Sequence, residues 1–186
     1  MKRKLITPAT VLPVALEAVR QDRRVDITDD DDVIIQKIWE AADLITNQTN
    51  YCFTSQTWEL ALDSWSDEVA LLPAPVASIT SVTYVDADDA GQTLDSSNYE
   101  LDDYGIVPIL RPAYNVTYPV NRGHTNDIKI RYVAGVADIT TIPGSMIAAL
   151  KMIVGDIYEN REAREPIQLR DNRTVTALLT PHWIPL

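Results

Sequence analysis

Four consecutive aspartates, Asp29, Asp30, Asp31 and Asp32 in "DITDDDDVIIQKI", are the densest run of chemistry-bearing side chains in the sequence. Clustered carboxylates can hold a divalent cation, and a bound cation can generate a nucleophilic hydroxide at neutral pH. A calcium loop, however, alternates its acids, turns on a glycine at its sixth position and ends on a glutamate at its twelfth. Counted from Asp26, those two positions hold Asp31 and Lys37. The stretch "DADDAG" fails in the same way: Asp86, Asp88 and Gly91 fit the loop, but Ala90 and Ser97 stand where ligands are needed. A hairpin turn describes it better. Thr28 and Asp31, by contrast, have the spacing of a capping box just ahead of Val33-Ile34-Ile35. Aspartates in a first turn also interact favourably with the helix dipole, by about 0.3–1 kcal/mol each at low salt. Capping accounts for one or two of the four, and the surplus charge needs another reason.

Other catalytic groups are sparse. The histidines are His124 and His182, and no G-x-S-x-G, H-E-x-x-H or phosphate-cradling glycine loop occurs among the six glycines. Cys52 is the only cysteine, so the chain forms no internal disulfide and no cysteine-based zinc site, as suits a reducing cytoplasm. The residues therefore point away from an enzyme and imply no cofactor and no metal. A divalent-metal-dependent hydrolase using Asp29–Asp32 stands as the alternative from a different class.

The elements that would position these groups follow from the hydrophobic pattern. At 186 residues with 46% hydrophobic and 23% charged residues, the composition is that of an ordinary globular domain. The start "MKRKLITPATVLPVAL" lacks the apolar core of a secretory signal, and no run reaches membrane-spanning length. A helix is expected over about 13–23. A second is expected over about 29–46, where Ile34, Ile38, Ala41, Ala42 and Ile45 follow amphipathic spacing. From Cys52 the period shortens. Strands are expected in "CFTSQTWELALDSW", "ASITSVTYVD", "NYELDD", "GIVPIL" and "DIKIRYVAG", an insertion over about 52–135. A third helix is expected over about 145–161, with Met146, Leu150, Ile153 and Ile157 on one face. The tail that follows carries three prolines and at most one short helical turn around Val175 to Leu179. The fold class is α+β: a small helical core of three main helices, a β insertion between the second and third, and an extended C-terminal tail. The boundaries are 1–165 for the domain and 166–186 for the tail.

Charge is distributed unevenly. Between Asp26 and Asp127 there are 19 acidic and three basic residues, whereas the two ends together are net basic, within a total of −11. An acidic middle does not grip nucleic acid; it repels a polyanion passing close by. In the tail, Leu178, Leu179, Trp183, Ile184 and Leu186 are large apolar groups in a segment too short to form its own core. They serve either as a strap on their own domain or as anchors on a partner. Arg161, Arg164, Arg170 and Arg173 lead into that segment and can pair with acidic surface on a partner.

Four stretches in fixed order resemble one family. They are "LPVALEAVRQDRRVD" running into "DDDDVIIQKIWEAADLI", "LPAPVASITSVTYVDADDAG", "YVAGVADITTIPGSMIAALKMIVGDIYENRE" and "TVTALLTPHW". Together they are similar to the head–tail connector proteins (adaptor or head-completion proteins) of long-tailed bacteriophages and prophages. A departure is His182-Trp183, where the family often has a basic residue soon after L-L-x-P. The resemblance implies a structural virion protein without catalysis, made in the host cytoplasm. It also implies a closed, twelvefold self-assembled ring beneath the portal protein, whose channel passes DNA without specific binding. In that frame the tail docks on the portal, and the other side offers a platform to a stopper or tail-completion protein. Asp29–Asp32 then face the channel or a neighbouring subunit. A stopper or tail-completion protein of the same junction is the alternative within this class. On this reading, a chain cut after Glu165 folds but no longer attaches to portal-bearing heads.

Overall fold

A computed structural model of the chain describes residues 2–24, 28–159 and 172–185. Its helices are α1 (Leu16–Arg23), α2 (Asp31–Thr49), α3 (Gly144–Glu159) and α4 (Arg173–Leu179). Its strands are β1 (Lys2–Thr7), β2 (Gln56–Leu62), β3 (Val69–Ala70), β4 (Val76–Val85), β5 (Gly91–Leu94), β6 (Tyr99–Asp102), β7 (Ile109–Pro112) and β8 (Ile128–Ala134). They divide into a helical unit, Thr10–Thr54 with Val136–Pro185, and a β unit, the residues up to Ala9 with Ser55–Gly135. The α+β class inferred from the pattern is the one observed.

In the helical unit the apolar stripe of α2 is buried as its spacing requires. Ile34, Ile38, Ala41, Ala42 and Ile45 meet Met146, Ala149, Leu150, Ile153 and Val154 of α3 in one core. The helix outruns its expected end because the Thr49 hydroxyl bonds back to the Ile45 carbonyl at 2.8 Å. It stops at Asn50, which takes the left-handed conformation that asparagine tolerates (φ 58°) and donates its N–H to Thr46. α1 starts later than expected, at Leu16. Ala15 ahead of it is extended, and Pro13 and Val14 are buried outside the helix. α4 makes two turns where a single short one was expected, and Val175 and Leu179 complete the helical core.

Gly155 on α3 has a specific role. The Arg23 guanidinium lies against it and donates to the Lys151 carbonyl at 2.8 Å, and a Cβ on Gly155 would stand 1.9 Å from Arg23 Cζ. Alanine raises helix propensity by about 1 kcal/mol over glycine, but here it must displace the guanidinium. Gly155→Ala is therefore expected to stabilise an Arg23→Ala chain by about 1 kcal/mol and the native chain by much less. Urea unfolding of the four members of this cycle measures the difference.

The β unit holds two antiparallel sheets, one of order β1-β2-β8-β4-β5 and one of order β3-β7-β6. In β8, Ile128, Ile130, Tyr132 and Ala134 are fully buried, while Lys129 is exposed and Arg131 half-buried on the opposite face. The Tyr132 hydroxyl donates to the Leu72 carbonyl, so this large polar side chain is satisfied inside the core. Sequence pattern missed β1, β3 and β5: β3 has two residues, and β5 sits directly after a turn it was read with. The alternation from Cys52 also misled. Cys52, Phe53 and Thr54 belong to the helical unit, and Phe53 lies in its core. Among the described residues, no helix is long and apolar enough to cross a membrane.

Candidate interaction surfaces

The aspartate run opens α2 without side-chain capping. Asp30 occupies the N-cap position and its carboxylate makes no cap bond; it accepts instead from the Tyr158 hydroxyl of α3. The capping box expected between Thr28 and Asp31 does not form. The Thr28 carbonyl takes the Asp31 N–H at 3.1 Å, and the Asp31 carboxylate lies 3.6 Å from Arg20 of α1. Asp31 and Asp32 stand in the first turn, where the helix dipole favours them. The cluster is thus split. Asp30 and Asp31 tie α2 to α3 and α1, and Asp29 and Asp32 are exposed. No three His, Cys, Asp or Glu side chains among the described residues are placed to hold a metal ion. The hydrolase alternative therefore has no site to support it.

The C-terminal segment packs on its own helical unit. Leu179 is 2% exposed, Ile184 6%, and Leu178 is half-buried against the same core. Two hydrogen bonds fix the strap: Ile184 N–H to the Thr49 carbonyl (2.9 Å) and Asn50 Nδ2 to the Ile184 carbonyl (3.0 Å). The His182 ring meets Ser145 Oγ at 2.7 Å and packs edge-on to Tyr51. Asn172 caps α4, its side chain accepting from Thr174 and Val175 N–H. Trp183 remains 44% exposed, and Arg173 is exposed on the first turn of α4. A cut after Glu165 removes the buried side chains Val175, Leu179 and Ile184, which argues against the expectation that the shortened chain simply folds. Leu186, Arg161, Arg164 and Arg170 lie outside the described residues.

The turns of the β unit are held by carboxylates. Asp86 closes the β4–β5 turn by accepting from Ala90 N–H (2.9 Å), Asp88 N–H (3.0 Å) and Gln92 Nε2 (2.7 Å). The bonds from Ala90 and Gln92 hold its carboxyl below the usual range. "DADDAG" is therefore a hairpin turn. In the loop before β8, Asp127 accepts from His124 N–H (2.6 Å) and Arg122 Nη2 (2.7 Å). Desolvation pushes the Asp127 carboxyl up, but those two bonds and the Arg122 charge outweigh it and hold it below the usual range. A carboxyl depressed on folding stabilises the fold above its unfolded value, about 3.9, and that contribution is lost as pH falls further. Asp127→Asn is expected to lower stability at neutral pH and to flatten the acid limb below pH about 4. Thermal unfolding against pH checks both, with the residual slope coming from Asp86, Asp95 and Asp138, which are also depressed.

The pattern reading overlooked a basic surface on the β unit. β1 pairs with β2 and presents Lys2 and Lys4 on the face that carries Lys129 and Arg131 of β8. The signal was present in "KRKLIT", which alternates only weakly and was read solely as a failed signal peptide. Elsewhere on this unit Trp65 stacks on Tyr118 (4.4 Å between centroids) and meets Tyr84 edge-on. Burial, with the Asp67 charge nearby, pushes the Tyr118 hydroxyl up to about 12.

Comparison with known proteins adds a relationship to this geometry. No curated protein matches the chain in sequence. Among solved structures, a chain from the neck of an empty gene transfer agent particle, computed with C6 symmetry, is 20% identical with a TM-score of 0.80. That match covers 100% of this chain and 97% of the other. A chain from the virion of the native gene transfer agent particle is 21% identical with a TM-score of 0.80, covering 100% and 96%. A chain from the neck of the native particle, computed with C12 symmetry, is 20% identical with a TM-score of 0.71, covering 98% and 97%. At such identities the likeness is one of fold. The model of the family described as "Head completion protein" matches residues 14–168, which takes in all of α1, α2, the β unit from β2 onward and α3. With most of its length matched in this way, the chain belongs to the head completion protein family.

Proposed function

We propose that the chain is the adaptor of a head–tail junction, a structural virion protein that forms a closed ring beneath the portal. The observation that carries this reading is the end-to-end fold likeness to chains of gene transfer agent necks, spanning 100% of this chain and 97% of one of them, together with family membership. Each copy uses two different faces, and the ring closes by rotation. The ring extends the DNA channel and gives the stopper or tail-completion protein its platform. DNA slides through because acidic surface offers its phosphates no cationic traps. Asp29 and Asp32, exposed at the start of α2, contribute to that surface. The C-terminal strap meets the portal through Trp183 and Arg173, while Leu178, Leu179 and Ile184 set its position. The work is mechanical, and no step is catalytic.

Electron microscopy of particles from a host carrying the gene disruption tests this reading. The expected result is tailless heads, empty or leaking DNA, with free tails beside them. Normal tailed particles would overturn it.

A further inference from the structure

The register of the five-stranded sheet gathers cations that the sequence keeps far apart. Lys2 stands opposite Ala61, Ala61 opposite Lys129 and Lys129 opposite Thr83, and the next row runs Lys4, Glu59, Arg131, Ser81. Residues two apart on a strand share a face, so Lys2, Lys4, Lys129 and Arg131 project together. Strand spacing puts their backbone positions within about 7 by 10 Å. Glu59 pairs with Arg131 at 2.6 Å and neutralises part of this charge. Ala61, Ser81, Thr83 and Thr93 share this face, with Thr57 and Val133 in the row beyond Glu59 and Arg131. Lysine on an edge strand, with the bulge between Leu5 and Thr7, is a common guard against edge-to-edge pairing. That guard does not account for Lys129 and Arg131, which lie on a strand paired on both sides.

The same unit carries the opposite pattern elsewhere. The β6–β7 hairpin ends in a tip with Tyr104 100% and Ile106 76% exposed, beside exposed Glu100 and Asp103. An aromatic side chain fully in water and an aliphatic one largely so, beside carboxylates, make an expensive surface for a lone subunit.

We propose that the basic sheet face receives the β6–β7 hairpin of a second copy of this chain. Lys2, Lys4 and Lys129 meet Glu100 and Asp103 of the neighbour, and Tyr104 and Ile106 settle near Ile6 at the bulge of β1, which is 36% exposed. The two patches differ, so successive copies can join head to tail and close into a ring by rotation. Two basic faces repel one another, which disfavours pairing of the sheet face with itself. A duplex is the less fitting occupant: the chain carries a net −11, and one of the four cations already has a carboxylate partner. The contact rests on the ring reading above and assigns one of its faces.

The test uses the full chain and two charge reversals. The first variant, K2E/K4E/K129E, has an acidic face and an acidic hairpin; the second, E100K/D103K, has a basic face and a basic hairpin. Circular dichroism and thermal unfolding establish that both fold. Sedimentation velocity is expected to show self-association of the native chain that weakens with salt, and at least about tenfold weaker association of either variant alone. Mixing the two should restore assembly, because every contact in an alternating array is then complementary. Native-like assembly of the first variant alone, or no rescue on mixing, overturns the sheet face as the contact and leaves the ring reading standing. A native chain that stays monomeric at every concentration also overturns it, while the ring reading is judged separately on particles. So does binding of a short fluorescent duplex that K2E/K4E/K129E abolishes while self-association persists, which would make the face a polyanion site.

Discussion

A chain ending at residue 171 will not keep its helical unit folded. The deletion removes Val175, Leu179 and Ile184, which are 0%, 2% and 6% exposed, and two hydrogen bonds to the end of α2. Burial of three such side chains contributes roughly 5–9 kcal/mol, comparable with the 5–15 kcal/mol total stability of a typical domain. The near-ultraviolet circular dichroism of the truncated chain should fall to what Trp58, Trp65, Tyr84 and Tyr118 of the β unit contribute, and the urea transition of the helical unit should broaden or vanish. Trp183→Ala is the informative contrast. With that ring 44% exposed, its loss should cost about 2–3 kcal/mol, less than half the effect of the truncation, so failed attachment to portal-bearing heads by a variant that still shows a cooperative urea transition would report on docking rather than on folding.

The second large effect is expected from Leu150→Ala. Leu150 is fully buried in the helical core, facing the stripe of α2, and leucine-to-alanine changes at such sites cost about 2–5 kcal/mol through lost transfer energy and the residual cavity. Ile147 lies beside that face and is only partly buried against the core, so Ile147→Ala should cost less than half as much. Equal costs in equilibrium urea unfolding would mean that α3 presents a different face from the one described.

That pair of substitutions also marks what the sequence could convey. α2 and α3 were legible because a stripe at 3.6-residue spacing has one physical solution, and Ile34, Ile38, Ile45, Leu150 and Ile153 are all in the core. β8 was legible for the same reason at period two, and β4 by its β-branched and aromatic residues despite two breaks in its register. β1 was not: all six residues of "KRKLIT" are exposed, so no apolar alternation announced the strand. What fixes it is pairing with Trp58, Leu60 and their neighbours, and sequence pattern carries no term for that partner. The acidic run was legible as a helix start but not in its contacts. Asp30 finds Tyr158 and Asp31 finds Arg20, positions that only tertiary packing brings near. Of the tail, the apolar character of Leu179 and Ile184 was plain, but its destination was not. Burial on the chain's own core and burial on a partner demand the same residue types.

The order in which the chain visits its two units has a consequence for its synthesis. The β unit has all its strands once residue 134 has left the ribosome, and β1 waits only for the segment 56–62 to pair. The helical unit cannot close then. α1 and α2 emerge first, α3 comes after the whole β unit, and Val175, Leu179 and Ile184 arrive last. Domains generally fold as units while translation proceeds. A ribosome that stalls or terminates early therefore releases a finished β unit joined to an unfinished helical one, with its apolar stripe open to chaperones and proteases. Val175, Leu179 and Ile184 complete the burial of the helical unit, so a chain broken off before them leaves the apolar faces of α2 and α3 uncovered.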